Sequence, residues 1–213
     1  PQSGLPNGFT RVSILDDDGR VITTSDDITG AMFSGSSAVI RPDGSLLLVT
    51  MNASGNISYV SVVDAQGVVS EAGTVTGIAA SPISLSDNGT AFFTAVEINT
   101  DDQGNPVGFA YRLARVSAAN DTQIYDVNGL TAGLPVVTPD GSAYLLRYGS
   151  SVILAIAADG TATSHFEQPI ASATQLVLAS DGNVYAAVTT TSGQAGNVTD
   201  VLMFSGSTLT VRQ

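Results

Sequence analysis

Apolar and polar positions follow one another along this chain in four near-copies of a single pattern. Each is a short apolar strand, a polar turn ending in glycine, and a second, more hydrophobic strand. The copies read VIRPDGSLLLVTMN from Val39, ISLSDNGTAFFTAVEI from Ile83, VVTPDGSAYLLRYG from Val136 and LVLASDGNVYAAVTTT from Leu176. Their turn glycines, Gly44, Gly89, Gly141 and Gly182, are spaced by 45, 52 and 41 residues, the length of a four-stranded propeller blade. An Asp-Gly or Asn-Gly pair supplies the positive φ that a tight hairpin needs. Pro42 and Pro139 pre-set φ and cannot extend a ladder, so the first strand of those copies stops there.

A second hairpin follows each copy. Ile57 to Val63 turns at Asp64 to Gly67 into Val68 to Thr74, and Phe109 to Ser117 turns at Asn120 and Asp121 into Thr122 to Val127. Val152 to Ala157 turns at Asp159 and Gly160 into Thr161 to Phe166, and Val201 to Ser205 turns at Gly206 into Thr208 to Val211. Each repeat is therefore four strands, a to d. The b and c strands, such as Leu46 to Val49 and Ala91 to Phe93, are apolar at consecutive positions, as strands covered on both faces must be. The expected fold class is all-β: a β-propeller of four-stranded antiparallel blades at about residues 37–76, 81–128, 133–168 and 172–212. A half blade of c-d type precedes them at 9–24, Phe9 to Leu15 turning at Asp16 to Gly19 into Arg20 to Thr24. Residues 1–8 read as a linker and Asp26 to Ser37 as a polar crossing.

The resulting count of about four and a half blades leaves both ends of c-d type, so they do not complete one another. Such a ring is five-bladed with an abbreviated first blade, or part of a larger one, and its open edge is expected to be covered. Residues 1–8, a partner chain or a parent-chain segment could supply the cover.

The turns Arg41-Pro42-Asp43-Gly44 and Thr138-Pro139-Asp140-Gly141, each followed by an apolar strand and a second hairpin with an Asp-x-x-Gly turn, resemble the repeats of TolB-like and YncE-like β-propellers. The likeness runs over about Val39 to Arg212. Its motif consists of turn residues, so it implies a fold and no particular activity.

Composition narrows the function. The 213 residues are 43% hydrophobic, enough for a substantial core. A net charge of −12, with seven arginines as the basic residues and no lysine, repels phosphate, so nucleic acid and anionic membranes are not expected partners. No apolar run approaches the roughly 20 residues of a membrane-spanning helix, so no membrane insertion is expected. Cysteine is absent. Ten of the sixteen Asp fall in a-b or c-d turns, where turn chemistry favours them. The d-a crossings at Gly77 to Ser81, Asn128 to Gly133 and Pro169 to Ala173 are small and uncharged, and the single histidine, His165, falls in an outer strand. Neither a serine triad nor a nucleotide loop is present in the sequence.

The ligand-like stretch is Asn99 to Gly108, NTDDQGNPVG. Asn99, Asp101 and Gln103, followed by Gly104, match the first half of a calcium loop, but Ala110 stands where a closing Glu belongs. Calcium is therefore the one candidate cofactor. Binding through the b-c loops points to Asn52, Asn56, Asp101, Asp102, Gln103, Asn105 and Asn197. The expected function is a non-catalytic module outside the cytoplasm, secreted or on a bacterial cell surface, that binds a protein or a glycan. The alternative is a calcium- or ligand-dependent hydrolase or lactonase whose site is completed from outside this chain.

Overall fold

The apolar runs of the b and c strands are explained by how consecutive sheets face one another in the computed structural model. It describes residues 8–32, 37–127, 130–131, 134–148, 153–165, 170–173, 176–192, 196–205 and 208–212. The predicted linker lies almost wholly outside them, as does part of the third predicted crossing.

The first sheet is an antiparallel meander of β5 (Ser37–Ile40), β6 (Leu46–Met51), β7 (Ile57–Val63) and β8 (Val69–Thr76). The second runs β10 (Ser84–Leu85), β11 (Ala91–Thr100), β12 (Pro106–Val116) and β13 (Thr122–Val127). The third runs β15 (Val136–Val137), β16 (Ala143–Tyr148), β17 (Ile153–Ile156) and β18 (Ala162–His165). The fourth runs β20 (Val177–Leu178), β21 (Val184–Ser192), β22 (Gly196–Ser205) and β23 (Thr208–Arg212).

Successive side chains of a strand point to opposite faces, and here both faces are apolar. Leu47 and Val49 pack on Ala91, Phe93 and Ala95 of the second sheet, whereas Leu48 packs on the opening hairpin through Ile28. In the second sheet Phe92 turns the other way, onto Ala143 and Leu145 of the third. In the third, Tyr144 and Leu146 turn onto Val184, Ala186 and Phe204 of the fourth, with the Tyr144 and Phe204 rings 5.3 Å apart. The second and third blades thus each share one core with the blade before and another with the blade after. The innermost strands β10, β15 and β20 contact one another in turn, which places them around a common axis. The chain is a β-propeller of four-stranded antiparallel blades.

Several predicted boundaries are corrected. Each d-a crossing carries a strand: β9 (Ile78–Ala79), β14 (Leu130–Thr131) and β19 (Ile170–Ala173) pair with β11, β16 and β21, on the same edge as the innermost strand. Strand a is therefore made in two pieces, too short to show periodicity. The polar crossing after residue 25 likewise holds β4 (Ile28–Thr29), and Ile28 is a core residue. β4 pairs with β1 (Phe9–Thr10), while β2 (Ser13–Leu15) pairs with β3 (Val21–Thr24). The predicted strand Phe9 to Leu15 is broken at Val12, whose amide donates to the Ser25 hydroxyl at 3.0 Å. Finally, β12 begins at Pro106 and β22 at Gly196, earlier than the hydrophobic pattern suggested.

Polar contacts pin the blades at their turns. Arg41, buried in the first a-b turn, donates to Asn120 Oδ1 at 2.5 Å and to the Ser117 carbonyl at 3.0 Å in the second blade. Arg115 reaches the Ala158 carbonyl of the third blade at 2.6 Å, beside a Tyr125 hydroxyl that donates to the Gly160 carbonyl at 2.8 Å. Burial without a carboxylate partner pushes the Arg41 pKa down, although Asp43 opposes the shift. At the two ends of the stack apolar side chains stay exposed: Leu15, Val21 and Ile22 on the opening hairpin, Val177 and Val201 on the fourth blade.

Candidate functional site

The b and c strands of the second blade outgrow their neighbours, further than those of the fourth blade, where β21 and β22 also run past their flanking strands. β11 and β12 pair from Ala91↔Val116 out to Thr100↔Pro106, with one register shift at Asn99/Thr100. Flanking strands reach only as far as Val96 on one side and Tyr111 on the other. Beyond those positions the hairpin is a two-stranded ribbon closed by the turn Asp101 to Asn105. Its base is held by Arg112, which pairs with Glu97 at 2.6 Å, approaches Asp126 at 3.5 Å and donates to the Thr76 carbonyl at 3.2 Å.

One face of this ribbon is apolar and exposed. Ile98 lies opposite Phe109 and Val96 opposite Tyr111, with the Phe109 and Tyr111 rings 6.5 Å apart. Phe109 and Val107 are 58% and 65% exposed. Singly exposed apolar residues need no explanation, but a grouped set at the end of a projecting element marks an interaction surface. The loop's polar letters hid this set: Ile98, Val107 and Phe109 flank the NTDDQGN run in the sequence, and only strand register brings them onto one patch.

The predicted loop Asn99 to Gly108 is thus shorter than expected, because Asn99, Thr100 and Pro106 to Gly108 are strand. Asp101 turns its carboxylate inward. Oδ1 accepts from the Asn105 amide at 2.8 Å and the Gln103 amide at 2.9 Å, and Oδ2 from Asn105 Nδ2 at 3.1 Å. These bonds, the Asn105 amide foremost, hold Asp101 below the usual carboxylate range. Of the three calcium candidates, Asp101 therefore spends its oxygens on its own turn, Gln103 enters it through its backbone, and Asn99 sits opposite Gly108 in the ladder. Asp102 lies exposed at the tip.

Asn52 and Asn56 close the b-c turn of the first blade on each other. Asn52 Nδ2 donates to Asn56 Oδ1 at 2.6 Å, and Asn52 Oδ1 accepts from the Asn56 amide at 2.9 Å. That turn rests on the second blade, since the Gly77 amide donates to the Asn56 carbonyl at 2.8 Å. Asn197 pairs with Thr191 in the ladder of the fourth blade, and residues 193–195 and the Asn197 side chain lie outside the described residues. His165 ends the outer strand β18, as expected, and its side chain is likewise outside them.

On the opposite face the turn aspartates repeat one geometry. Asp43, Asp64, Asp140, Asp159 and Asp181 each accept, through Oδ1, the backbone amide two residues on. Asn88 does the same in the second blade, accepting from the Thr90 amide at 2.9 Å, and donates to the Asp140 carbonyl of the next blade at 2.7 Å. At Asp140 burial works to raise the pKa, but bonds from the Thr138 hydroxyl and from Ser142 together hold it low. Asp43, held by the Ser45 hydroxyl and amide, is also lowered, as are Asp159 and Asp181 by the amides that follow them. A carboxylate depressed in the folded state stabilises it above the unfolded pKa, and that contribution disappears as pH falls through the folded value. The melting temperature is therefore expected to fall below the ordinary aspartate range, about pH 4. Asp140→Asn, which keeps the turn as Asn88 does, makes that fall shallower; a melting temperature that rises steadily on acidification would contradict it.

Fold and turns together define the class: a β-propeller protein, here with a projecting hairpin on its second blade. No protein-family model matches the chain, and no curated protein does either. Among solved structures it is similar to virginiamycin B lyase from Staphylococcus aureus, with a TM-score of 0.45 at 11% identity over 97% of this chain and 74% of the other. It is also similar to a streptogramin B lyase (TM-score 0.42, 13% identity, 95% and 76% covered) and to a luciferin-regenerating enzyme (0.45, 11%, 88% and 66%). The resemblance carried by the repeat turns is one of fold.

Proposed function

We propose that the chain is a non-catalytic interaction module that works outside the cytoplasm and binds a protein or glycan through its b-c face. The observation that carries this reading is the projecting β11–β12 hairpin. A rigid, four-stranded base presents an exposed cross-strand pair, Ile98 and Phe109, under a polar tip of Asp102, Gln103 and Asn105. Aromatic and aliphatic anchors ringed by polar groups are how binding surfaces concentrate their energy. The aliphatic share of the patch favours a protein partner over a sugar.

The test uses the whole chain. Wild type and the double variant Ile98→Ala/Phe109→Ala are compared on arrays of extracellular proteins and of glycans. A specific ligand of the wild type whose affinity drops about tenfold or more in the variant, with the melting temperature changed little, is the expected result. Ligands bound equally by both proteins would sink the hairpin as the site. Turnover of a lactone or phosphotriester by the purified chain would sink the non-catalytic reading.

A further inference from the structure

A second site lies in the cleft between the segment that leads from β3 into β4 and the first four-stranded blade. Its volume is about 280 Å³, and its walls are Asp26, Asp27 and Thr29 on one side and Tyr59, Ser61 and Glu71 on the other. Asp27 is neutralised by Arg11 at 2.5 Å. Among the described residues Asp26 and Glu71 stand in no ion pair, and although the Arg11 charge also acts on Asp26, one cation against three carboxylates leaves the cleft negative.

An acidic cleft alone would be unremarkable in a chain of net charge −12. The independent observation is Ser61. It is 4% exposed, lines the cleft, and its hydroxyl makes no hydrogen bond among the described residues. Buried hydroxyls are nearly always partnered. The Nε atoms of Arg41 and Arg115 are also without a partner but are sealed from solvent, whereas the Ser61 oxygen opens into the cleft. Ser61 sits directly opposite Glu71 in the β7–β8 ladder, where a register shift interrupts the pairing. The shift puts hydroxyl and carboxylate on one face with Tyr59, two residues along the strand.

The chemistry of this set selects its ligand. No three carboxylates among the described residues are placed to converge on one metal ion, so the charge is arranged for something longer than a point cation. The volume is below the usual range for cofactor sites and suits a single side chain. An acceptor hydroxyl, two carboxylates outside any ion pair and an aromatic ring are the groups that hold an ammonium head on an aliphatic stem. We propose that this cleft receives a lysine side chain from a basic partner protein. The chain has no lysine of its own to fill it.

The test is an NMR titration of the whole ¹⁵N-labelled chain with Nα-acetyl-lysine amide, Nα-acetyl-norleucine amide and 1,5-diaminopentane. The lysine derivative is expected to shift the amides of Thr29, Tyr59, Ser61 and Glu71 saturably, and the uncharged norleucine analogue to leave them unmoved. Glu71→Gln should weaken that binding about fivefold, the scale of one surface charge contact, and Ser61→Ala should weaken it too. Asp181→Asn, in an a-b turn of the fourth blade, should leave it unchanged. Equal weakening by Asp181→Asn would reduce the effect to net charge and overturn the site. Absence of saturation, or norleucine binding as well as lysine, overturns it outright, and tighter binding of the free diamine than of the lysine derivative overturns a protein as the source. None of these results depends on the Ile98 and Phe109 patch.

Discussion

Gly77→Ala is expected to destabilise the protein by roughly 3 kcal/mol, combining a left-handed backbone penalty with the strain of forcing atoms into packed backbone. Gly77 has φ +109° and links β8 to β9 at the passage from the first blade to the second. A Cβ there would lie 2.7 Å from the carbonyl carbon and oxygen of Val96 and 2.9 Å from the Glu97 nitrogen. Those atoms are ladder backbone, opposite Ile78 in the pairing of β9 with β11, and cannot rotate away. The Gly77 carbonyl also accepts from the buried Ser58 hydroxyl at 2.8 Å. At this chain length such a loss lowers the melting temperature by roughly 6–12 °C. Gly44→Ala is the control: φ is +83° but nothing lies within 4 Å of its Cβ, so only the conformational cost of about 1–2 kcal/mol applies. Equal losses at the two positions, measured by urea denaturation, would show that the close approach to Val96 contributes nothing.

The second large effect is expected from Phe92→Ala, at about 3–5 kcal/mol, the range for truncating a buried aromatic. Phe92 is completely buried and is the largest side chain in the core shared by the second and third blades, where it meets Leu113, Leu145 and Ile156. Blades hold together through these shared cores, so the cavity weakens a junction as well as a sheet. Denaturant unfolding followed by tyrosine fluorescence should move to lower midpoint, and Phe109→Ala, on the exposed ribbon, should shift it by less than about 0.5 kcal/mol. Similar shifts for the two variants would mean that the blades are not coupled through Phe92.

How much of this was legible beforehand differs from element to element. The b and c strands were readable because each carries a run of at least four pattern positions, and the Asp-Gly turns declared themselves because so few residues accept φ above zero. Ile57 to Val63 and Thr122 to Val127 match their predicted spans. β9, β14 and β4 were missed because two residues have no period: what makes Ile78 and Ala79 a strand is the free edge of β11 beside them. The polar loop residues Asp101, Asn105, Asn52 and Asn56 stood out by composition, yet much of their hydrogen-bonding capacity is turned onto their own turns. The apolar pair Ile98 and Phe109 and the unpartnered Ser61 drew no notice, since each becomes distinctive only through the residue across from it.

The amino-acid order by itself therefore determined the repeat, the hairpin turns and the doubly apolar strands, because these are short-range properties of φ, ψ and side-chain alternation. Tertiary structure alone decided which blade receives each apolar face, where the innermost strand resumes after its break, and that Asp26, Ser61 and Glu71 border one cleft. Those outcomes depend on contacts between residues tens of positions apart, whose proximity arises only when neighbouring sheets close on one another to remove their apolar faces from water.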